Sequence, residues 1–599
     1  MNSLIFVSLV LIFVVATMTR LNRHTDAIIW AGVTTLIVLP IKNENGQLTA
    51  ALTLEDAIEG FANPAVITIA ALFVVAAGLR ESGALQALSA RFFRTKNPDL
   101  ITNQLLWPTA ALSSFFNNTP LMALLLPVVT DLSKRFNLSV SHLLMPLSFA
   151  SILGGACTLI GTSTNLVING WIMENSGHSG LGMFEMSPLM VPISIVGLIF
   201  IILATQYLVP KRKPVFKKVD NPKEYVVEME VTPGSDLTGL TVDEAGLRGL
   251  PGLFLIEIER RGEILPAVSA NVVLADGDRL IFAGIVESVV ELQKINGLRP
   301  ATEQVFKLGD QNGKRQLIEA VVSDSCPFVG TTIKKGRFRT IYNAAIIAVA
   351  RNGDRVFGKI GSIKLRAGDV LLLETRASFL EQQRNSKDFY LVTHLDALNE
   401  INPTRSRIAF AILGIFVGLV TTGVTDMASA SMLAAIVMVA TRCVSPNNAR
   451  KSIDWELLLV IAGALALGKA MQQSGLATLI GDALIFAVGD RPYLLLSSAF
   501  ILTAILSALI GAKAGVLLVL PIMLSASQQL QLSFTPLIFI TMLAASMTVA
   551  SPIGYPTNLM VYGPGGYRFT DYLRLGVPLT FIIGILGVIL TPLIWPFDT

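Results

Sequence analysis

FFNNTPLMALLLP, residues Phe115–Pro127, and IGAKAGVLLVLP, residues Ile510–Pro521, each sit inside an apolar stretch long enough to enter a membrane. The stretches run over 104–131 and 495–529, and polar or small residues break both in the middle. Backbone inside a bilayer must satisfy its own hydrogen bonds, so a break is tolerated only where it meets protein or a water-filled cavity. Two more breaks follow the same logic: GTSTN at Gly161–Asn165 within 141–173, and GYPTN at Gly554–Asn558 within 535–562. Interrupted helices place half-helix N-termini, which carry partial positive charge, near the midplane and expose carbonyls to a cation. Amide and hydroxyl groups without full charge suit an anion that must bind and leave again.

The breaks come in pairs. Pro127 and Pro521 lie 394 residues apart, Gly161 and Gly554 lie 393 apart, and Gly83 of RESGAL and Gly475 of QQSGLA lie 392 apart. Three anchors in one order at nearly constant spacing indicate duplication. Further apolar runs occur near 4–19, 27–41, 65–80 and 188–209, then near 406–424, 428–442, 455–471 and 575–597. Each crosses, or nearly crosses, about 30 Å of hydrocarbon. Leu4–Thr19 lacks the basic flank and cleavage site of a signal peptide and reads as a retained span. Each half then has five crossings and one re-entrant hairpin. An odd number of crossings turns the second copy upside down, giving a polytopic α-helical membrane protein of two inverted repeats.

Charge separates the chain into blocks. Of its 88 Asp, Glu, Lys and Arg residues, 52 fall between Pro210 and Pro403, leaving 36 for the other 405 residues. With a mean hydropathy of +0.63, a single water-soluble fold is excluded. The expected divisions are 1–209 and 404–599 for the membrane repeats, with 210–300 and 301–403 for two soluble domains. Lys and Arg mark cytoplasmic loops. Arg20 and Arg23, then Arg80, Arg91, Arg94 and Lys96, then Lys134 and Arg135, then Lys211–Lys218 place the insert in the cytoplasm and both termini outside, in the plasma (inner) membrane of the cell.

The insert is itself duplicated at an offset of 91. Gly239 matches Gly330, Arg260-Arg261-Gly262-Glu263 matches Arg351-Asn352-Gly353-Asp354, and Gly277-Asp278 matches Gly368-Asp369. Alternating strands, a hairpin at the Gly pair and a closing strand after Gly-Asp predict two small α+β modules in tandem.

Other chemistries lack their signatures. A net charge of +4 carried by loop residues gives no reason to expect nucleic acid. Cys157, Cys326 and Cys443 have no metal or disulfide spacing, and the four histidines are scattered. Neither HExxH nor a GxSxG with a plausible triad occurs, so no enzyme is expected. A channel gated by the insert is the competing reading, but no TVGYG-type filter is present.

FFNNTPLMALLLP, IGTSTNLVING and SPIGYPTNLM resemble the divalent anion:sodium symporter family, over about two-thirds of the chain, and the duplicated insert resembles TrkA-C (RCK-C) modules. The combination is similar to the family's sulfate-permease-like branch. The resemblance implies a homodimer in the lipid bilayer that moves a small anion with sodium by an elevator mechanism. Sulfate is the expected substrate, with a di- or tricarboxylate or another oxyanion as alternatives. It assigns sodium to Ser113, Asn117, Asn118 and Gly161, and substrate to Asn117, Asn118, Thr119, Thr162, Ser163, Gly511, Ala512, Lys513, Tyr555, Pro556 and Thr557. By the same analogy the insert could take a nucleotide second messenger or serve as a dimer scaffold. The second tip departs from the pattern: Gly511-Ala512-Lys513 stands where a Ser/Thr-Asn-Thr motif is expected. Apolar sequence on both sides of Lys513 disfavours snorkelling, so its ammonium is expected to stand in for a second sodium as a fixed counter-charge. Lys469, near a span end, is expected to snorkel, and Arg568, Asp571 and Arg574 to form an interfacial loop.

Overall fold

The computed structural model describes residues 3–598 except 22–24, 43–47, 85–100, 137, 176–179, 213–225, 248–249, 251–252, 261–262, 267–270, 285–294, 302–314, 353, 357–359, 377–378, 380–387, 392–402 and 553. Arg23, Arg91, Arg94, Lys96, Lys213, Lys217, Lys218, Arg261, Gly262 and Gly353 lie outside the described residues.

The chain begins with α1 (Ser3–Leu21), α2 (Thr25–Val38), the hairpin β1 (Pro40–Lys42) and β2 (Leu48–Ala50), α3 (Leu54–Ala62) and α4 (Pro64–Glu81). Next come α5 (Ile101–Ser113), α6 (Asn118–Arg135), α7 (Ser141–Gly155), α8 (Ser163–Asn175) and α9 (Ser187–Leu208). The insert follows with β3 (Val226–Val231), β4 (Leu253–Arg260), β5 (Glu263–Pro266), β6 (Arg279–Gly284) and β7 (Leu298–Pro300). It continues with β8 (Arg315–Val322), α10 (Phe338–Tyr342), β9 (Ala345–Arg351), β10 (Asp354–Arg355), β11 (Val370–Arg376) and β12 (Phe389–Leu391). Then come α11 (Pro403–Thr421), α12 (Met427–Ala440), α13 (Pro446–Ser452), α14 (Trp455–Gln473) and α15 (Leu476–Val488). The last elements are α16 (Pro492–Ile510), α17 (Ala512–Gln529), α18 (Thr535–Ser546), α19 (Pro556–Tyr562) and α20 (Phe569–Ile594).

Among the described residues, six helical segments are long and apolar enough to cross a membrane: Leu54–Glu81, α9, α11, α14, α16 and α20. Helix contacts recur in corresponding pairs. The packing of α5 on α7 is answered by α16 on α18, α6 on α19 by α17 on α8, and α19 on α7 by α8 on α18. The turn after α4 repeats after α14. Ser82 N and Ser474 N donate to Gly78 O and Ala470 O, both at 3.0 Å, and Gly83 and Gly475 have φ of 77° and 76°. That left-handed conformation is where glycine is the natural residue to end a helix.

The insert forms two five-stranded sheets of one design. Their strand orders are β5-β4-β6-β3-β7 and β10-β9-β11-β8-β12. In each, an arginine from the second strand grips the aspartate of the Gly-Asp turn with two bonds of 2.8 Å: Arg260 to Asp278, and Arg351 to Asp369. The bidentate fork fixes the turn geometrically as well as energetically.

Two charged groups differ from the sequence expectation. Lys469 does not snorkel: its Nζ lies 2.7 Å from Asp56 Oδ1 and also bonds Glu59, both on α3. Packing of α14 on α3 supplies those carboxylates, which hydropathy cannot reveal. Arg568 and Asp571 open α20 instead of lying in a loop, and buried Asp571 pairs with Arg212 at 2.8 Å. The Arg212 Nη1 also donates to Gly566 O at 2.5 Å, tying the start of the insert to the second membrane half. Removing one partner of a buried ion pair leaves an uncompensated charge. Asp571→Ala should therefore destabilise the fold by about 3 kcal/mol, read as a lower thermal unfolding midpoint in detergent. An unchanged midpoint would contradict this.

Candidate functional site

The first break is narrower than the sequence indicates. Helix α5 ends at Ser113 and α6 begins at Asn118, so Asn118 and Thr119 already belong to the first turn of α6. Likewise Ser163–Asn165 open α8, and the second hairpin tip shrinks to Gly511, with φ of 90° between α16 and α17.

Four of the expected residues meet in one hydrogen-bonded group. The Ser113 hydroxyl donates to Asn118 Oδ1. Asn118 Nδ2 donates to the Tyr555 hydroxyl at 2.7 Å, and that hydroxyl lies 3.1 Å from Thr162 Oγ1. A phenol from the second half thus joins the hairpin tip of the first half to its helix break. Further bonds stitch that tip to the same break: Ser114 Oγ donates to Gly154 O at 2.9 Å, and Thr158 Oγ1 donates to Ser114 O.

Close packing brings oxygens together beside this group. A Cβ on Gly161 would lie 2.4 Å from Gly155 O and 2.8 Å from Ser113 O, and one on Gly155 would lie 2.4 Å from Asn118 Oδ1. At Gly161, where the neighbours are main-chain atoms, only glycine fits. Two main-chain carbonyls, Gly155 O and Ser113 O, thus face the Gly161 Cα, and they are neutral hard donors of the kind that replace the hydration shell of an alkali cation. Asn117 lies differently: its Oδ1 accepts from Thr119 N at 3.2 Å, and it lines a cavity with Ser163, Phe73 and Leu413.

The second half does not repeat this arrangement. Ser507 corresponds to Ser113 and Ala512 to Asn118, each 394 residues on. Without an amide at 512, the buried Ser507 hydroxyl has no hydrogen-bond partner among the described residues. Gly515 packs its backbone against Ser507 N, 2.8 Å from a would-be Cβ. Lys513 follows, partly buried, with no hydrogen bond or ion pair among the described residues. The acidic groups whose field reaches it are Asp454, Asp324 and Glu456. No hydrogen bond links Gly511, Ala512 or Lys513 to the Asn118–Tyr555–Thr162 group among the described residues. Thr557 is buried, 3.0 Å from Ser148 Oγ, while Pro556 is exposed.

Two residues of the quoted motifs hold the breaks together. Buried Asn165 donates to Thr158 O at 3.0 Å and accepts from Ser546 at 2.8 Å. Buried Asn558, 393 residues later, donates to Ser551 O at 3.1 Å and accepts from Ser148 at 2.8 Å. Each satisfies backbone of its own break and binds a serine from the other half. Their recurrence in TSTN and YPTN is the sequence signal that singles them out.

A family model for citrate transporters (CitMHS) matches residues 10–514 and 470–598. The chain belongs to the citrate-transporter family. Among its relatives, a candidate sulfur deprivation response regulator of Chlamydomonas reinhardtii is 34% identical over 90% of this chain and 95% of its own. An uncharacterized transporter of Synechocystis is 32% identical over 91% of each chain. Sodium/sulfate cotransporter 2 of Chlamydomonas reinhardtii is 24% identical over 89% of this chain and 84% of its own. Membership in this transporter family agrees with the polytopic helical fold and with the expected kinship to anion:sodium symporters.

The two tip serines of this family member should behave differently. Ser113→Ala strips Asn118 Oδ1 of its donor and should cost about 1–3 kcal/mol. Ser507→Ala removes an unpartnered hydroxyl and should be neutral or stabilising. Unfolding midpoints in detergent that fall equally for both would refute the asymmetry.

Proposed function

We propose that the chain is a secondary active transporter of a small divalent oxyanion, sulfate first among them, coupled to sodium. The observation that carries this reading is the junction of Asn118, Tyr555 and Thr162 beside the oxygen-lined Gly155–Gly161 cradle, inside an apolar helical core. Neutral N–H and O–H groups there offer an anion directional bonds without trapping it, and the cradle offers sodium a neighbouring position. Relatives named as sodium/sulfate cotransporters support the pairing of these two cargoes. The paired helix contacts and the reciprocal Asn165–Ser546 and Asn558–Ser148 bonds support two inverted repeats, with hairpins and broken helices moving together as an elevator. The remaining parts of the reading are a homodimer in the plasma membrane, both termini outside, and the insert as a cytoplasmic TrkA-C-like regulatory pair.

Lys513 supplies the fixed positive charge that takes the place of a second sodium, since Ala512 offers no amide oxygen. A cation partly buried near a helix break is retained for function more readily than for stability. One observation favours a second reading, citrate or another carboxylate: the matching family model is described as a citrate transporter.

Reconstitution into liposomes tests these readings. An inward sodium gradient should accelerate labelled sulfate uptake at least tenfold, with thiosulfate competing better than citrate. Uptake indifferent to sodium, or citrate as the better substrate, would overturn the first reading. Asn118→Ala should abolish uptake while the protein still inserts. Lys513→Asn should raise the number of sodium ions moved per anion or weaken anion affinity, and unchanged stoichiometry with unchanged affinity would remove the counter-charge role.

A further inference from the structure

The two insert modules share a fold but not a surface. In the first, one sheet face carries Glu228, Glu230, Glu257 and Glu259, matched by Arg279 and Arg299. Arg279 lies 3.8 Å from both Glu228 and Glu259, and Arg299 lies 3.1 Å from Glu230. At the constant offset of 91, the second module replaces Glu230, Glu257, Glu259, Arg279 and Arg299 with Val321, Ala348, Ala350, Val370 and Tyr390. Five charges have become apolar in register, and only Glu228 keeps its type, as Glu319.

That apolar face meets the membrane helices. Val321, Ala348, Ala350 and Val370 are buried in one continuous cluster with Met560 and Val561 of α19, and Tyr390 packs against the same cluster. The opposite face of the same sheet, including Ile318, Leu371 and Leu373, forms the module's own core. The Gly-Asp turn is packed tightly there. A Cβ on Gly563, just past α19, would lie 2.4 Å from Val370 Cγ2 and 2.5 Å from Gly368 O. Gly368 in turn faces Leu559 and Tyr562, whereas a Cβ on the equivalent Gly277 of the first module would meet nothing within 4 Å. Strand β12 also touches α6, and Arg568 lies 3.7 Å from Asp354 of β10.

Both helices gripped in this way begin at the site. The first residue of α6 is Asn118, and the N-cap of α19 is Tyr555. Helix α19 has seven residues, so about 10 Å separates the phenol's backbone from the Gly368 turn. Arg351 holds that turn rigid through Asp369. We propose that the second module is a brake: docked by its apolar face on the far end of α19, it holds Tyr555 on Asn118 and Thr162, and transport requires this contact to loosen. The two discrete arrangements are docked and undocked, and a ligand or modification favouring either shifts the balance. The first module packs its β4 and β6 on β9 of the second, and its Ile281 joins the same cluster.

This inference rests on the transport reading, and its test separates the two. The Gly563 Cβ position and Val370 Cγ2 are 2.4 Å apart, so cysteines at 370 and 563 bring their Cβ atoms within disulfide reach. Full-length Val370→Cys/Gly563→Cys protein in liposomes, oxidised, should take up anion at least tenfold more slowly than the same protein reduced. Val370→Arg, which restores the residue that the first module folds with, should raise the rate at least threefold over the unmodified chain. Equal rates in the oxidised and reduced forms, or a Val370→Arg variant no faster than the unmodified chain, would overturn the brake. Should the unmodified chain carry no anion of the panel, the transport reading falls by itself. Amide exchange over 555–562 then decides the brake: oxidation should slow it at least fivefold, and unchanged exchange would refute the lever.

Discussion

A helix that stops inside an apolar core leaves amides and carbonyls that no solvent can reach, and the rest of this structure follows from how they are satisfied. Asn165 and Asn558 do it in equivalent ways, each bonding the carbonyls of its own break and a serine from the opposite half. The two halves therefore complete each other, and neither break is closed by its own half alone. The same requirement draws Tyr555 across to Asn118 and Thr162, a tie between the two halves.

Positions at matching offsets differ in their partners. In the membrane block, Ser113 has its amide partner while Ser507 has none among the described residues, and an ammonium stands at Lys513, one residue after Ala512. In the insert, a charged face has become an apolar one with the fold unchanged, because the exchanged positions all point to the same side of the sheet and the turn-gripping Arg–Asp forks lie elsewhere. Alternation along a strand lets one face change without disturbing the other. The same physical rule thus governs both blocks: an inner pattern is retained while one surface is reassigned.

Much of this is legible in residues alone. The breaks at 117, 161, 511 and 554 announce themselves as polar or glycine interruptions of apolar runs, and the offsets of 392–394 and 91 follow from the sequence without coordinates. The Gly-Asp turns, the charge-rich insert and the departure at Lys513 are equally plain there. What hydropathy could not reveal are the partners of isolated charges. Lys469 looked like a headgroup lysine until α3 was placed beside it, and Asp571 like a loop residue until Arg212 came from 359 residues away. Pair partners at such separations leave no local periodicity to read.

The sequence by itself determined that the chain is a polytopic helical membrane protein with a charge-rich insert, and it carries the recurring motif spacings, because apolar length, spacing and charge density are local properties of a chain. Only the tertiary structure decided which polar groups converge: Tyr555 with Asn118 and Thr162, but no hydrogen bond from Lys513 to them among the described residues. It alone placed Val321, Ala348, Ala350 and Val370 in one buried cluster with residues of α19, with Val370 against Gly563. The physical reason is that hydrogen bonding and close packing act over a few ångströms in space, whatever the distance along the chain.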